Sequence, residues 1–125
     1  MIQVRGLAKS FLLHNQGGAE LRVLQSKSFD VDPGECVALQ GRSGSGKSTL
    51  LKCLYANYRA SAGSIRVGGL EVTSASAREL VRMRRETVGY VSQFLRVIPR
   101  VPALAVVAEP LLEEGAYDER ASALA

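Results

Sequence analysis

One eight-residue stretch, Gly41–Ser48, has the residue types and spacing needed to bind a polyphosphate. It reads GRSGSGKS and satisfies the pattern G-x-x-x-x-G-K-[ST] at every constrained position. Backbone N–H groups curled at the positive end of a helix bind a dense anion, and the glycines allow close approaches that a Cβ would block. The sequence therefore predicts a nucleotide-binding loop.

Two polar side chains close this loop, and each suits a different part of a magnesium nucleotide. Lys47 supplies a point charge for the β- and γ-phosphates. Ser48 supplies a hydroxyl oxygen, a hard ligand of the kind that Mg²⁺ takes while keeping several waters. We therefore expect the loop to bind a nucleoside triphosphate together with Mg²⁺.

The segments on either side predict the strand and helix that such a loop requires. Cys36–Gln40 is short and apolar, as a buried strand would be. After the loop, the run from Ser48 to Tyr58 places four apolar residues on one helical face. These residues are Leu50, Leu51, Leu54 and Tyr58.

The chain before the loop predicts a small antiparallel sheet. Short alternating segments begin at Ile2, and Gly6 is expected to end the first of them. Asp32–Glu35 reads DPGE and predicts a turn, because proline pre-sets the first central position and glycine supplies the positive φ of the second.

The chain after the loop predicts a hairpin, a basic helix and a second strand. Gly68 and Gly69 lie between two alternating pairs and indicate a two-residue hairpin. Ser76–Arg85 predicts a helix, Val88–Val91 a buried strand, and Ala103–Glu114 a helix that Pro110 kinks. One face of the first helix carries Arg78, Arg82 and Arg85, either as a solvated surface or as a contact for a partner or a phosphate.

Bulk composition suits one domain in a reducing compartment. The chain has 125 residues, 46% hydrophobic content and a net charge of +4, with no basic tract for nucleic acid. It has neither an apolar run of about 18 residues nor the pattern of a signal peptide at its first residues. Cys36 and Cys53 are expected to be buried reduced thiols, so the predicted location is the cytoplasm.

Two residues far from the loop extend the pattern. Phe11 lies 30 residues before Gly41, and Gln93 lies 46 residues after Lys47 at the end of an apolar run. With the turn at Asp32–Glu35, this arrangement resembles the ATP-binding cassette (ABC) family of ATPases. The resemblance implies an α/β fold of the P-loop NTPase class: an antiparallel β region over residues 1–35, a phosphate-loop core over 36–93 and the start of a helical region over 94–125.

The resemblance also implies roles for individual residues. Phe11 matches the aromatic that stacks on adenine, and Gln93 matches the glutamine that touches Mg²⁺ or the attacking water. The expected ATP-binding residues are Phe11, Gly41, Ser43, Gly44, Ser45, Gly46, Lys47, Ser48 and Thr49. Lys47 and Gln93 are the expected catalytic residues, and Ser48 and Gln93 the expected Mg²⁺ ligands.

A narrower resemblance concerns two short segments. Residues 89–101, GYVSQFLRVIPRV, and residues 54–58, LYANY, resemble the L subunits of the carbon–phosphorus lyase system for phosphonate breakdown. This implies soluble lyase subunits and a related cassette ATPase as partners. The alternatives are the ATPase of a lipoprotein-release or macrolide-export transporter, and a nucleotide-responsive scaffold whose role is docking.

Two further motifs of the cassette family have no counterpart in the sequence. The nearest match to its apolar-run-plus-Asp-Glu motif is Ala105–Glu109, which has one carboxylate and is expected to be helical. The Ser-Gly-Gly signature is absent. We therefore expect the chain to be the N-terminal part of a longer cassette that dimerises when complete, and the part alone to fold poorly and to hydrolyse ATP negligibly.

Overall fold

A computed structural model describes residues 1–13, 17–91 and 101–108. The chain divides into two compact units, Met1–Val88 and Gly89–Ala125. The first unit contains the strands β1 (Ile2–Leu13), β2 (Ala19–Val31), β3 (Ala62–Val67) and β4 (Leu70–Glu71) and the helices α1 (Lys47–Leu54) and α2 (Ala77–Glu86). In the second unit, α3 (Ala103–Ala108) covers the described part of the predicted helix Ala103–Glu114.

The strands form one sheet in the order β2-β1-β3-β4, and each neighbouring pair is antiparallel. Pairing of β1 with β2 runs from Ile2 opposite Val31 to Leu13 opposite Ala19. The predicted antiparallel sheet is therefore confirmed, and β3 and β4 extend it beyond the early residues. The predicted hairpin is also confirmed, since Gly68 and Gly69 have φ values of 55° and 90°.

Gly6 does not end the first strand, contrary to the sequence prediction. Its φ of +58° makes an irregularity in β1, with register shifts between Val4 and Leu7 toward β2 and between Arg5 and Ala8 toward β3. The strand continues because β3 approaches closely at this point: a Cβ on Gly63 would lie 2.5 Å from the Arg5 carbonyl oxygen. Two glycines thus let the strands pack across a bulge.

The turn before the loop forms as predicted. The Glu35 N–H donates to the Asp32 carbonyl oxygen at 3.1 Å, and Gly34 has a φ of +79°. The Glu35 carboxylate accepts from the Asp32 N–H at 2.8 Å, which reinforces the reversal.

The predicted strand Cys36–Gln40 is wrong for this structure. The segment makes no ladder with any described strand, and its side chains are exposed, including 46% of Val37 and 37% of Leu39. Cys36 is exposed, so only Cys53 is the buried thiol that we expected. A strand needs a hydrogen-bonded neighbour as well as apolar residues. The second predicted strand is wrong for the same reason: Val88–Val91 is not in a ladder, and Val91 is 90% exposed.

The core lies between the sheet and the two helices of the first unit. Its buried residues are Val4, Leu7, Leu24, Leu50, Cys53, Ile65, Val67, Val72 and Met83. Helix α1 buries Leu50 and Cys53 and ends at Leu54, so the expected four-residue apolar face does not form. Leu51 is 45% exposed, and Tyr58 lies beyond the helix.

Helix α2 forms where predicted and is capped. Ser76 and Glu79 make a capping box: the Ser76 hydroxyl accepts from the Glu79 N–H, and the Glu79 carboxylate accepts from the Ser76 N–H at 2.8 Å. On the basic face, Arg82 pairs with Glu86 at 2.8 Å, and Arg78 and Arg85 are exposed. Among the described residues, no helix is long and apolar enough to cross a membrane.

Candidate nucleotide-binding site

The predicted loop leads directly into α1, and Gly46 is the residue before the helix. Gly46 is buried with a φ of +91°, and a Cβ there would lie 2.9 Å from Leu24 Cδ2 and 3.1 Å from the Val23 carbonyl oxygen. The loop therefore rests on the middle of β2. Sequence reasoning missed Val23 and Leu24 as supports, because nothing in the local pattern identifies which residues lie beneath the loop.

The N-terminus of α1 is electropositive and lacks a competing group. No side chain caps it, and its first turn contains no acidic residue. The first intrahelical bond runs from the Leu50 N–H to the Gly46 carbonyl oxygen at 2.8 Å. Helix N–H groups before this point have no intrahelical acceptor, so they and the helix dipole favour an anion here.

The Lys47 ammonium holds the two ends of the loop together. Its Nζ donates to the carbonyl oxygens of Gly41 at 2.7 Å and Arg42 at 2.8 Å, and lies 3.4 Å from Ser45 Oγ. The positive charge is thereby fixed over the loop. A phosphate placed at the helix N-terminus would meet both the backbone donors and this ammonium.

The two residues after Lys47 occupy the first turn of the helix. Ser48 is exposed and Thr49 is half-buried. The Ser48 hydroxyl is a hard donor suited to Mg²⁺. Within the described ranges, no group of three His, Cys, Asp or Glu side chains is placed to hold a metal. Among the described residues of the loop, the Ser48 hydroxyl is thus the expected protein ligand for a cation bound with the phosphates.

Phe11 lies on the sheet face that supports the loop. Lys9 is opposite Leu24 in the ladder, and residues directly opposite or two apart share a face. Phe11 follows Lys9 by two positions, so it projects to the same side as Leu24, whose side chain would contact a Cβ on Gly46. The structure thus places the predicted adenine-stacking residue and the phosphate loop on one face of one hairpin.

The ring of Phe11 is not isolated on that face. Tyr58 packs against it with ring centroids 5.3 Å apart and an interplanar angle of 80°. Lys9 Nζ lies 4.8 Å from the Phe11 centroid and 6.0 Å from that of Tyr58. Sequence reasoning assigned Tyr58 to the apolar face of a helix and did not place it in the site; the aromatic type of the residue is the one signal that pointed to it.

Beneath this cluster, α1 contributes the thiol of Cys53. Burial raises the pKa of this thiol above its ordinary value, and the nearby Lys9 ammonium opposes the shift. Cys53 is therefore a neutral apolar contact rather than a nucleophile.

Gln93, the remaining predicted site residue, lies outside the described residues. The structure places Phe11 and the phosphate loop on the same face of the β1–β2 hairpin. The donor set, an uncapped helix N-terminus with Lys47 above it and Ser48 beside it, fits a magnesium nucleotide.

Comparison with known proteins identifies the class. The family profile of ABC transporters matches residues 24–124, so the chain belongs to the ABC transporter family. The fold is that of its ATPase cassette, which confirms the predicted fold class. The chain superposes on the dimeric bacterial ABC transporter cassette MJ0796 with a TM-score of 0.81 and 29% identity, and the match covers 89% of this chain and 47% of MJ0796. A second structure of MJ0796, bound to ADP and Pi, gives a TM-score of 0.84 with 25% identity over 98% of this chain and 55% of that one.

Two of the curated relatives are named as a lipoprotein-releasing and a macrolide export protein. The chain is 39% identical to the lipoprotein-releasing system ATP-binding protein LolD of Alcanivorax borkumensis, over 92% of this chain and 49% of LolD. It is 40% identical to the macrolide export ATP-binding/permease protein MacB of Rhodopseudomonas palustris strain HaA2, over 91% of this chain and 17% of MacB. The chain thus spans about half the length of LolD. These relatives favour the transporter alternative over the lyase subunit that the narrower resemblance suggested.

Proposed function

We propose that this chain binds MgATP through Gly41–Ser48 and is the nucleotide-binding part of an ABC ATPase in a transporter of the lipoprotein-release or macrolide-export type. The observation that carries the proposal is the uncapped N-terminus of α1, preceded by a loop whose Gly41 and Arg42 carbonyls hold the Lys47 ammonium. The LolD and MacB relatives support the type of transporter.

Each site residue has a defined part in this proposal. Lys47 and the loop N–H groups bind the β- and γ-phosphates, and Ser48 and Gln93 bind Mg²⁺. Phe11 stacks on adenine. A bound Mg²⁺ would offset the charge of the phosphates, and Gln93 would orient the water that attacks the γ-phosphate.

Nucleotide binding is tested by comparing Lys47→Ala with Lys27→Ala. Lys27 lies on β2 and is exposed, so the control removes the same charge away from the loop. Titration calorimetry with MgATP should show at least a tenfold loss of affinity for Lys47→Ala and less than a twofold change for Lys27→Ala. Equal affinities for the wild type and Lys47→Ala would contradict the proposal.

Hydrolysis is a separate part of the proposal. We propose that the cassette dimerises, as MJ0796 does. We also propose that hydrolysis requires an Asp-Glu pair directly after an apolar run, and the Ser-Gly-Gly signature, neither of which occurs in this sequence. The 125-residue chain alone should therefore bind ATP weakly and release phosphate at the buffer rate. Turnover by the purified chain that Lys47→Ala abolishes would overturn this.

The second candidate partner class is the soluble carbon–phosphorus lyase machinery. Residues 54–58 and 89–101 favour it, because they resemble the L subunit of that system. Affinity purification of the tagged protein from its own cells separates the two classes. A membrane permease in the eluate supports the transporter, whereas soluble lyase subunits support the second candidate. If Lys47→Ala leaves the function of the assembly intact, the role is that of a scaffold. Either assembly would place the chain on the cytoplasmic side.

A further inference from the structure

Tyr58 connects the loop helix to the ring of Phe11. Helix α1 ends at Leu54, and the chain reverses through Ala56, which has a φ of +62°. The N–H groups of Asn57 and Tyr58 both donate to the Lys52 carbonyl oxygen, at 2.8 and 3.2 Å. The backbone of Tyr58 is therefore fixed to the last turn of α1.

The side chain of Tyr58 is held by the same helix. Lys52 Nζ lies 3.4 Å from the Tyr58 hydroxyl and 5.2 Å from its ring centroid. An ammonium at this distance is attracted to the face of an aromatic ring. Both ends of the tyrosine are thus anchored to Lys52, a residue of the helix whose other end meets the phosphates.

Besides its contacts with Lys52, Tyr58 packs against Phe11. The two rings meet at 80°, edge to face, with 5.3 Å between centroids. Such pairs have a preferred geometry and are worth more than the area they bury. Phe11 is half-buried on a strand, so the contact restricts the orientation of its ring.

We propose that Tyr58 is a positioning residue for the nucleotide base: it sets the ring of Phe11 at a fixed place relative to the phosphate loop. The inference rests on the proposed binding of ATP and adds to it a residue outside the phosphate loop. Because the Phe11 ring is already oriented, less conformational entropy is lost when a ligand stacks on it, and only a ligand with a base gains from this. A ligand with phosphates and no base gains nothing from Tyr58.

The test compares two ligands, MgATP and magnesium tripolyphosphate, by titration calorimetry. Tyr58→Ala should weaken ATP about 3- to 10-fold, the range expected for loss of one aromatic pair, and change tripolyphosphate less than twofold. Tyr58→Phe keeps the ring and should retain ATP affinity. The control is Leu12→Ala, because Leu12 is 64% exposed and adjacent to Phe11 on the other face of β1.

A double-mutant cycle identifies the route of the effect. In the Phe11→Ala background, adding Tyr58→Ala should change ATP affinity less than twofold, because no ring remains to be positioned. If Tyr58→Ala fails to fold, Tyr58→Leu keeps the bulk and should give the same ATP-selective loss.

Three results would overturn the role of Tyr58. They are unchanged ATP affinity in a folded Tyr58→Ala, an equal loss for both ligands, and additive losses in the cycle. Failure of the wild type to bind either ligand is a distinct result: it refutes ATP binding itself, and the role of Tyr58 falls with it.

Discussion

The contact between the phosphate loop and β2 can be tested by giving Gly46 a side chain and measuring the free energy of unfolding. Gly46→Ala forces an L-residue to a φ of +91°, which costs about 1–2 kcal/mol. Its Cβ would also lie 2.9 Å from Leu24 Cδ2 and 3.1 Å from the Val23 carbonyl oxygen. Overpacking of this kind costs about 1–3 kcal/mol more, so the free energy of unfolding should fall by about 2–5 kcal/mol.

Gly44→Ala is the matched control within the same loop. Gly44 has a φ of +77°, and a Cβ there would have nothing within 4 Å. The free energy of unfolding of Gly44→Ala should therefore fall only by the cost of the backbone conformation, about 1–2 kcal/mol. The difference between the two variants isolates the contact of the loop with β2.

Urea denaturation followed by circular dichroism gives both free energies of unfolding, provided the two variants unfold with the same m-value. We expect Gly46→Ala to be less stable than Gly44→Ala by about 1–3 kcal/mol. If the two variants were equally stable, the loop would not be resting on β2, and the placement of the helix N-terminus would need another explanation.

Three further predictions follow from the same unit. In urea titrations, Gly63→Ala should lower the free energy of unfolding more than Gly69→Ala. Both glycines have positive φ, but a Cβ on Gly63 would meet the β1 backbone, whereas one on Gly69 would have nothing within 4 Å. Equal losses would refute the close approach of β3 to β1. Arg84→Met should lower the free energy of unfolding by about 2 kcal/mol, because Arg84 donates to the carbonyl oxygens of Tyr55 and Ala56, directly after α1, at 3.1 and 2.9 Å. Exposed Arg85→Met should stay within about 0.5 kcal/mol, and similar values for the two variants would refute a stabilising role for these bonds. Hydrogen bonds from the Ser76 hydroxyl and N–H lower the pKa of Glu79 below its ordinary 4.5. The stability that the ionised Glu79 contributes is therefore complete above pH 4.5 and is lost as pH falls through the folded-state pKa. Glu79→Gln should flatten the acid side of a plot of unfolding free energy against pH, and an unchanged plot would contradict this.

Local chemistry was sufficient to predict several elements. The turn at Asp32–Glu35 and the hairpin at Gly68 and Gly69 follow from residues that adopt few backbone conformations. Helix α2 follows from its periodicity, and its start at Ser76 from a side chain that accepts backbone N–H groups. The loop pattern likewise predicted the place where α1 begins.

Long-range pairing was not predictable from local patterns. Cys36–Gln40 has the composition of a buried strand, but burial depends on a neighbour that the segment itself does not encode. Gly6 looked like a strand end, whereas the approach of Gly63 makes it the site of a bulge. Tyr58 has helical spacing from Leu54, yet the left-handed turn at Ala56 takes it out of the helix. The first two outcomes depend on the presence or absence of a neighbour distant in sequence, and the third on a backbone conformation that helical spacing does not reveal.

The contrast between the two sides of the loop has a consequence for amide exchange. From Leu50 onward, the N–H groups of α1 are in intrahelical bonds beside the buried residues Leu50 and Cys53, so their exchange requires opening of the helix. Before Gly41, residues 36–40 form no ladder, and the two carbonyl contacts of Lys47 hold the end of the segment. Amides there should exchange near the rate of an unfolded chain, and a bound triphosphate that competes for Lys47 should alter that rate. The loop is thus a boundary between protected and unprotected backbone.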